Sequence, residues 1–468
     1  VCGRARERLR DLDLLLDGVV ASPDARLVLL QRPPQIFMMR SVRTVLLASF
    51  CSAARSLNAP VVTLTGGKAK LFKAGNPLVY GGAVKSVSGK PATGAVVDVV
   101  DGSGGFIGWG VFNPISMYRV RLLAHEEPAL LAHRDIEQLL QHRLRAAMER
   151  RRALRLPSDE NTAYRLVNGE GDRLSGLMVD VYAGVAVAVS SAIWLENWSD
   201  AVRDALLELP EVTSVVWRRN LARLKQDGWD ARLKQDGGDA DDEQQERPAA
   251  TAVEVLESGL KYELDPYGQK SGFYCDQRDN REMLARLCGG QRVLDLFCFS
   301  GGFAISAVAA GATSALGIDS SAPALALAQR NAELNGLGDA CAFEKHDVLK
   351  FLKARDEDPD AEPFDVVICD PPKLAPSVKD LPRATPRYRK INALAMRALR
   401  PGGLLLTCTC SAAMSQSDGK FVRTVQEAAL DEGRVLTLLR TTGAAADHVM
   451  NPAYPESRYL TAALFVVQ

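Results

Sequence analysis

Three stretches hold side chains suited to chemistry. The apolar run "LLLTCTCSAAM" (404–414) ends in Cys408 and Cys410, one residue apart, so in a strand both sulfurs lie on one face. A second buried run, "FDVVICDPPK", ends on Asp370, and Pro371 and Pro372 stiffen its exit. The third, "RVLDLFCFSGGFAISAVAAGA", reads as strand, tight glycine-rich turn and helix. Gly301 and Gly302 let the backbone pass close to a ligand there. Asp319, 24 residues after Asp295, ends the next strand, "ALGID", where an acid can accept both hydroxyls of a ribose. "KHDVLKF" places Asp347 after the third strand, in position to accept from an adenine amino group. The turn is not GxGxxG, and no Arg or Lys stands ready for a pyrophosphate. That disfavours a dinucleotide and favours S-adenosylmethionine (SAM), which carries a ribose and an amino acid but no phosphate.

A thiol at a strand tip facing a methyl donor has a specific use. Carbon 5 of a pyrimidine is too weak a nucleophile to take a methyl group unaided. A thiolate adding at carbon 6 makes carbon 5 enolate-like, after which methyl transfer, loss of the carbon-5 proton and expulsion of the thiol complete a cycle. Cys410 occupies the strand end, while Cys408 lies deeper and reads as core. The plain alternative is that both are small buried hydrophobes. Amino-group methylases favour an aromatic after the two prolines, to stack on a flipped base; Lys373 and Leu374 follow here, which argues against an exocyclic nitrogen as target.

The elements that must carry these residues alternate. Strands are expected at 293–297, 314–319, 341–346, 365–370, 403–409, 433–440 and 459–467, with helical stretches between, which implies a doubly wound, mostly parallel sheet over 266–468. Residues 64–125 hold short β-rich runs punctuated by Gly and Pro and read as a small β-barrel. Residues 126–265 read as an α+β middle domain. In that stretch "EEPALLAHRDIEQLLQHRLRAAMERRRAL" has helical spacing, an acidic start and a basic end. Its arginines (Arg143, Arg145, Arg150, Arg151, Arg152, Arg155) could meet phosphates or form a solvated face. "ARLKQDGWD" (222–230) recurs as "ARLKQDGGD" (231–239), read as part of an inserted loop over 222–250.

The totals set the class. At 468 residues several domains are expected, and 47% hydrophobic, 24% charged and zero formal net charge describe a globular chain that neither demands nor excludes nucleic acid. Nine cysteines without a CxxC pair and only five histidines argue against a zinc site and a disulfide framework. No apolar run approaches the roughly 20 residues that span a bilayer, so no membrane association is expected. Residues 1–63 form an extension. From Met39 it is rich in Arg and Ser, and no Asp or Glu occurs between Asp24 and Asp98. Residues 39–60 thus suit a transit peptide for mitochondrion or chloroplast; without that role the workplace is cytoplasmic.

Taken together, "GQKSGFYCDQRDNR", "VLDLFCFSGGFA", "GIDSS", "DPPKL", "YRKINALAMRALRPGGLLLTCTCS" and "AADHVMNPAYPESRYL" closely resemble the RlmI-type class I SAM-dependent methyltransferases. That family makes 5-methylcytosine in large-subunit ribosomal RNA. Upstream, "YRLVNGEGDRLSGLMVDVY" resembles its central domain, and the glycine-rich amino-terminal part resembles its PUA RNA-binding module. The resemblance implies a Rossmann-like, seven-stranded methyltransferase domain, SAM as cofactor and RNA as partner. Cys410, within Thr409-Cys410-Ser411, matches the family nucleophile, and Asp370 is implied beside it in catalysis. Gln277, Arg278 and Asp279 match the block leading into the SAM site, where Gln269 replaces a His. Phe297, Ser300, Gly301 and Gly302 match the methionine-side loop, Asp319 with Ser320 the ribose acceptor, and Asp347 the adenine contact. Asp370, Pro371 and Pro372 match the loop between SAM and the target base, and Lys373 lies on the substrate side. Tyr388 either stacks on RNA or packs inside a helix. His448 either carries a proton or orders its loop. The rival readings are methylation of uridine or guanine in RNA, a SAM-binding RNA or ribosome-assembly factor without catalysis, and a small-molecule methyltransferase.

Overall fold

The computed structural model describes residues 60–125, 134–229, 252–267 and 273–468. The expected transit segment lies outside them apart from Pro60, as does Gln269. The chemical half is a seven-stranded sheet: β1 (Arg292–Leu296), β2 (Ser314–Asp319), β3 (Cys341–Lys345), β4 (Phe364–Cys369), β5 (Leu399–Thr409), β6 (Leu436–Thr442) and β7 (Thr461–Val467). Their order is β3-β2-β1-β4-β5-β7-β6, parallel except for β7, which runs antiparallel to both neighbours. Helices α1 (Arg278–Ala285), α2 (Gly302–Ala309), α3 (Ala322–Leu334), α4 (Val348–Glu357), α5 (Leu381–Arg397) and α6 (Lys420–Asp431) accompany it.

Every expected strand is present, with two shifted starts. Leu399 already pairs with Phe364 ahead of a bulge, so β5 begins before its Arg-Pro-Gly-Gly turn. Gly433, at φ +63°, bends the chain and delays β6. Helices cover both faces of the sheet, which is why its central strands read as unbroken apolar runs. Leu294, Leu296, Val367, Cys369 and Leu405 enter one core, while Val293, Val366, Ile368, Leu406 and Cys408 enter the other. The strand order reverses between β1 and β4, and ligands in open α/β sheets collect at the carboxyl ends there.

Upstream, residues 61–124 form a six-stranded, mainly antiparallel sheet around Val62, Phe72, Val97, Ile107 and Val120. Residues 163–219 form a four-stranded sheet whose last strand runs parallel to the third, as an α+β unit requires. The basic helix spans Ile136–Ala153, with Asp135 capping it by accepting from the Gln138 amide. Its arginines serve neither expected role alone. Arg151 is fully buried and bidentate on Asp172, Arg150 shares that carboxylate, and Arg152 pairs with Glu149 and Glu211. Acids, most of them distant in sequence, pair with these three arginines.

The first copy of the tandem repeat is likewise built in. Residues Leu221–Gln226 are helical, and Leu224, Asp227 and Trp229 are buried. Asp227 accepts from the Ser116 hydroxyl at 2.5 Å and pairs with Arg121 at 3.4 Å, which fastens this segment to the amino-terminal sheet. Residues 222–229 are therefore not loop; the second copy lies outside the described residues. Among the described residues no helix is long and apolar enough to cross a membrane, and no group of three or more His, Cys, Asp or Glu could hold a metal ion.

Candidate active site

At the carboxyl ends of β1, β2, β4 and β5 lies a cleft of about 770 Å³. The chain leaves β1 through Phe297 (φ +65°), Phe299 (φ +49°) and Gly301 (φ +80°). Two left-handed phenylalanines are costly, of order 1–3 kcal/mol each, and such conformations concentrate at ligand sites. Gly301 is obligatory, since a Cβ there would meet Phe343 at 2.9 Å and Ala328 at 3.1 Å. The Asp319 carboxylate, at the end of β2, accepts from the Phe299 amide at 3.1 Å and the Ser321 amide at 2.8 Å, so it braces the turn and faces the cleft. Tyr274 and Phe299 meet edge-on at 5.2 Å and, with Pro323 and Leu327, add apolar wall. A carboxylate for vicinal hydroxyls, an aromatic wall and glycine-permitted backbone approach suit an adenosyl group with an amino-acid tail.

Opposite this half stand Asp370, Pro371, Pro372 and Cys410. Cys408 is wholly buried, whereas Cys410, one residue past β5, is half-buried, with Sγ 3.9 Å from the Pro371 carbonyl. The strand tip is fixed from below. The Tyr388 hydroxyl lies 2.7 Å from Thr409 Oγ1 and 3.1 Å from Ser411 Oγ, and Ser411 Oγ accepts from the Ala375 amide at 3.0 Å. Burial pushes the Cys410 thiol up to about 11, helped by the charges of Asp370 and Asp276 and opposed by Lys373. Burial also raises the Asp370 carboxyl to about 7, as does the Asp276 charge, while a 3.0 Å bond from Gln277 Nε2 opposes. Asp295, beneath the turn, is pushed by burial to about 8 and accepts from the Ala304 amide.

Of the residues expected at the site, Gln277, Phe297, Ser300, Gly302, Asp319, Ser320, Asp370, Pro371, Pro372 and Cys410 line the cleft. Five do not. Gly301 shapes the turn from behind. Arg278 is buried on Asp447, with Nη2 to Oδ1 at 2.9 Å, and Asp279 is exposed and accepts from the Ala446 amide. Asp347 is exposed and caps α4 by accepting from the Lys350 amide at 2.9 Å. Tyr388 is fully buried, so of its two readings the interior contact is the one present. Lys373 is exposed next to the lining prolines. His448 sits 3.0 Å from Asp447 and lines a neighbouring cavity of about 540 Å³. Sequence reasoning passed over Tyr274, Asp276, Arg281 and Leu460 on the cleft wall. The block "GFYCDQRDNR" held the first three, but the period of a strand or helix does not single them out.

The fold and cleft define a SAM-dependent methyltransferase. The family model described as S-adenosylmethionine-dependent methyltransferase matches residues 235–432, and a PUA-like domain matches residues 62–125. Ribosomal RNA large subunit methyltransferase I of Photobacterium profundum is 37% identical over 402 residues, 85% of this chain and 97% of that protein. The protein of that name from Aeromonas hydrophila is 35% identical over 401 residues, with the same coverage of both chains. The chain belongs to the family of ribosomal RNA large subunit methyltransferase I. Its fold is also that of SMU.776 in complex with SAH, at TM-score 0.70 and 19% identity, over 87% of this chain and 99% of the other. SAM is the cofactor.

Proposed function

We propose that the chain methylates carbon 5 of a cytosine in large-subunit ribosomal RNA, with Cys410 as transient nucleophile. The single observation that carries this reading is the half-buried Cys410 thiol opening into the same cleft as the Asp319 carboxylate, across from it beside Asp370. The relatives' names support the RNA class. Asp319 would hold the ribose hydroxyls of SAM, and the turn 297–302 would receive its amino-acid end. SAM, when bound, supplies the electrophilic methyl group that carbon 5 takes. Asp370 receives the Cys410 proton as sulfur adds to carbon 6 and passes it to ring nitrogen 3, which makes the ring a better acceptor. Gln277 aims that carboxyl, with its own amide oxygen accepting from Asn280 Nδ2 at 2.6 Å. Pro371 and Pro372 give the ring a rigid floor.

Incubation of the purified protein with labelled SAM and large-subunit rRNA, followed by digestion to nucleosides, is expected to place the label in 5-methylcytidine. Label in uridine or guanosine overturns the reading.

A pH dependence follows from the two raised groups. The reactive form has a thiolate and a neutral carboxyl, one proton fewer than the acid form. With values of about 7 and about 11, its share grows about tenfold per pH unit up to pH 7 and then stays level, because each gain in thiolate is offset by loss of the carboxyl proton. Single-turnover methyl transfer measured from pH 5.5 to 9 is expected to bend near 7. Asp370→Asn is expected to be slower and to climb without that bend. A wild-type rate still rising tenfold per unit at pH 9 contradicts the pairing.

A further inference from the structure

We propose that Asp276 is the base that removes the carbon-5 proton, an assignment that rests on the cytosine reading above. Asp276 lies in the short turn Cys275–Gln277 ahead of α1 and lines the cleft together with Cys410 and Asp370. The Tyr459 hydroxyl donates to its Oδ2 at 2.7 Å, and the Ala445 amide donates to its backbone carbonyl at 2.8 Å, so the residue is held by the segment between β6 and β7. Its other oxygen, Oδ1, is shut off from water and has no hydrogen-bond partner. Among the described residues it is the only orphaned buried side-chain oxygen or nitrogen on a residue lining the cleft. Buried acceptors are nearly always satisfied, so one without a partner on the cleft wall calls for an explanation, and a catalytic role is one.

The electrostatics place the same group near the reacting atoms. The charge of Asp276 acts on the Cys410 thiol, on Asp370 and on Tyr274. The two cleft acids are set differently: Gln277 donates an amide to Asp370, whereas a hydroxyl holds one oxygen of Asp276 and the second has no partner. Carboxyl pairs in unlike settings divide acid and base roles. Asp370 handles the proton of sulfur addition, and Asp276 handles the later one. After methyl transfer, carbon 5 bears both the methyl group and a hydrogen, and carbon 6 bears the Cys410 sulfur. The Asp276 carboxylate takes the proton, the C5–H electron pair restores the C5=C6 bond, and the C6–S bond breaks with its pair returning to sulfur.

The test uses the full chain with SAM and rRNA carrying [5-³H]cytidine, with SAM affinity measured separately by calorimetry. Asp276→Asn is expected to bind SAM within about threefold of wild type and to slow tritium release about 100-fold or more. A methylated RNA–protein adduct that survives denaturant is expected to accumulate. Tyr459→Phe, which leaves the carboxylate but removes its donor, is expected to slow release about tenfold with SAM affinity unchanged, and it decides the matter if Asp276→Asn does not fold. Tritium release at the wild-type rate in the variants overturns the assignment and leaves the cytosine reading intact. A tenfold loss of SAM affinity without adduct also overturns it, because Asp276 then serves the cofactor's ammonium. No tritium release from wild type overturns both.

Discussion

Cys410→Ser is expected to abolish methyl transfer, by about 10⁴-fold or more in a single turnover, while leaving SAM affinity within about twofold. The substitution keeps shape and replaces only the sulfur, which approaches the Pro371 carbonyl at 3.9 Å. A serine hydroxyl in this setting has no route to the alkoxide, since the acid beside it, at about 7, is far too weak a base. Cys408→Ser sets the contrast. That thiol is wholly buried in the core with the Gln277 side chain beside it, so a hydroxyl in its place is expected to lower stability by about 1–3 kcal/mol and to slow the reaction far less than Cys410→Ser in protein that remains folded. The pair of variants separates sulfur as reagent from sulfur as filler. Transfer by Cys410→Ser at the wild-type rate removes the covalent mechanism.

Asp447→Ala is expected to cost about 3–5 kcal/mol of stability, read from urea unfolding. Asp447 is fully buried and accepts from Arg278 Nη2 at 2.9 Å and the Arg165 amide at 2.8 Å, with His448 Nδ1 at 3.0 Å, while its backbone carbonyl accepts from Arg151. Its loss strands the buried Arg278 guanidinium. Despite burial, bonds and charge from His448 and Arg278 hold its carboxyl well below the usual range. A depressed carboxyl stabilises the fold fully above its unfolded value, about 4, and that contribution fades as acid approaches the folded one. The gap between wild type and Asp447→Ala is thus expected to be constant above about pH 5 and to narrow below pH 4.

The sheet was legible because its constraints are local. Apolar runs bounded by turns mark β1 to β7, and the alternation Leu404, Leu406, Cys408, Cys410 puts the two sulfurs on one face, as found. Asp319, Asp370 and the glycine turn were legible because a doubly wound sheet dictates where strand ends meet. What escaped depends on partners far away in the chain. Arg278 looked like a cleft residue because it adjoins Gln277, yet its partner is 169 positions on. Asp276 gains meaning only through Tyr459, 183 positions away. Arg151 looked free to meet phosphate until Asp172 closed on it. Leu224, Asp227 and Trp229 were hidden by the repeat, since duplicated text looks dispensable while one copy forms part of the structure.

The segment between β6 and β7 bonds to three folded parts of the described chain. Ala445 and Tyr459 grip Asp276, Asp447 binds Arg165 of the middle sheet, and Asn451 donates to the Gly75 carbonyl beside the amino-terminal sheet. Such a rivet turns three folded pieces into a caliper. On the proposed reading, an RNA held at one jaw meets the sulfur at the other. The choice of nucleotide then depends on the separation these bonds keep, and a break at Asn451 would blur which base is chosen before it slowed the chemistry.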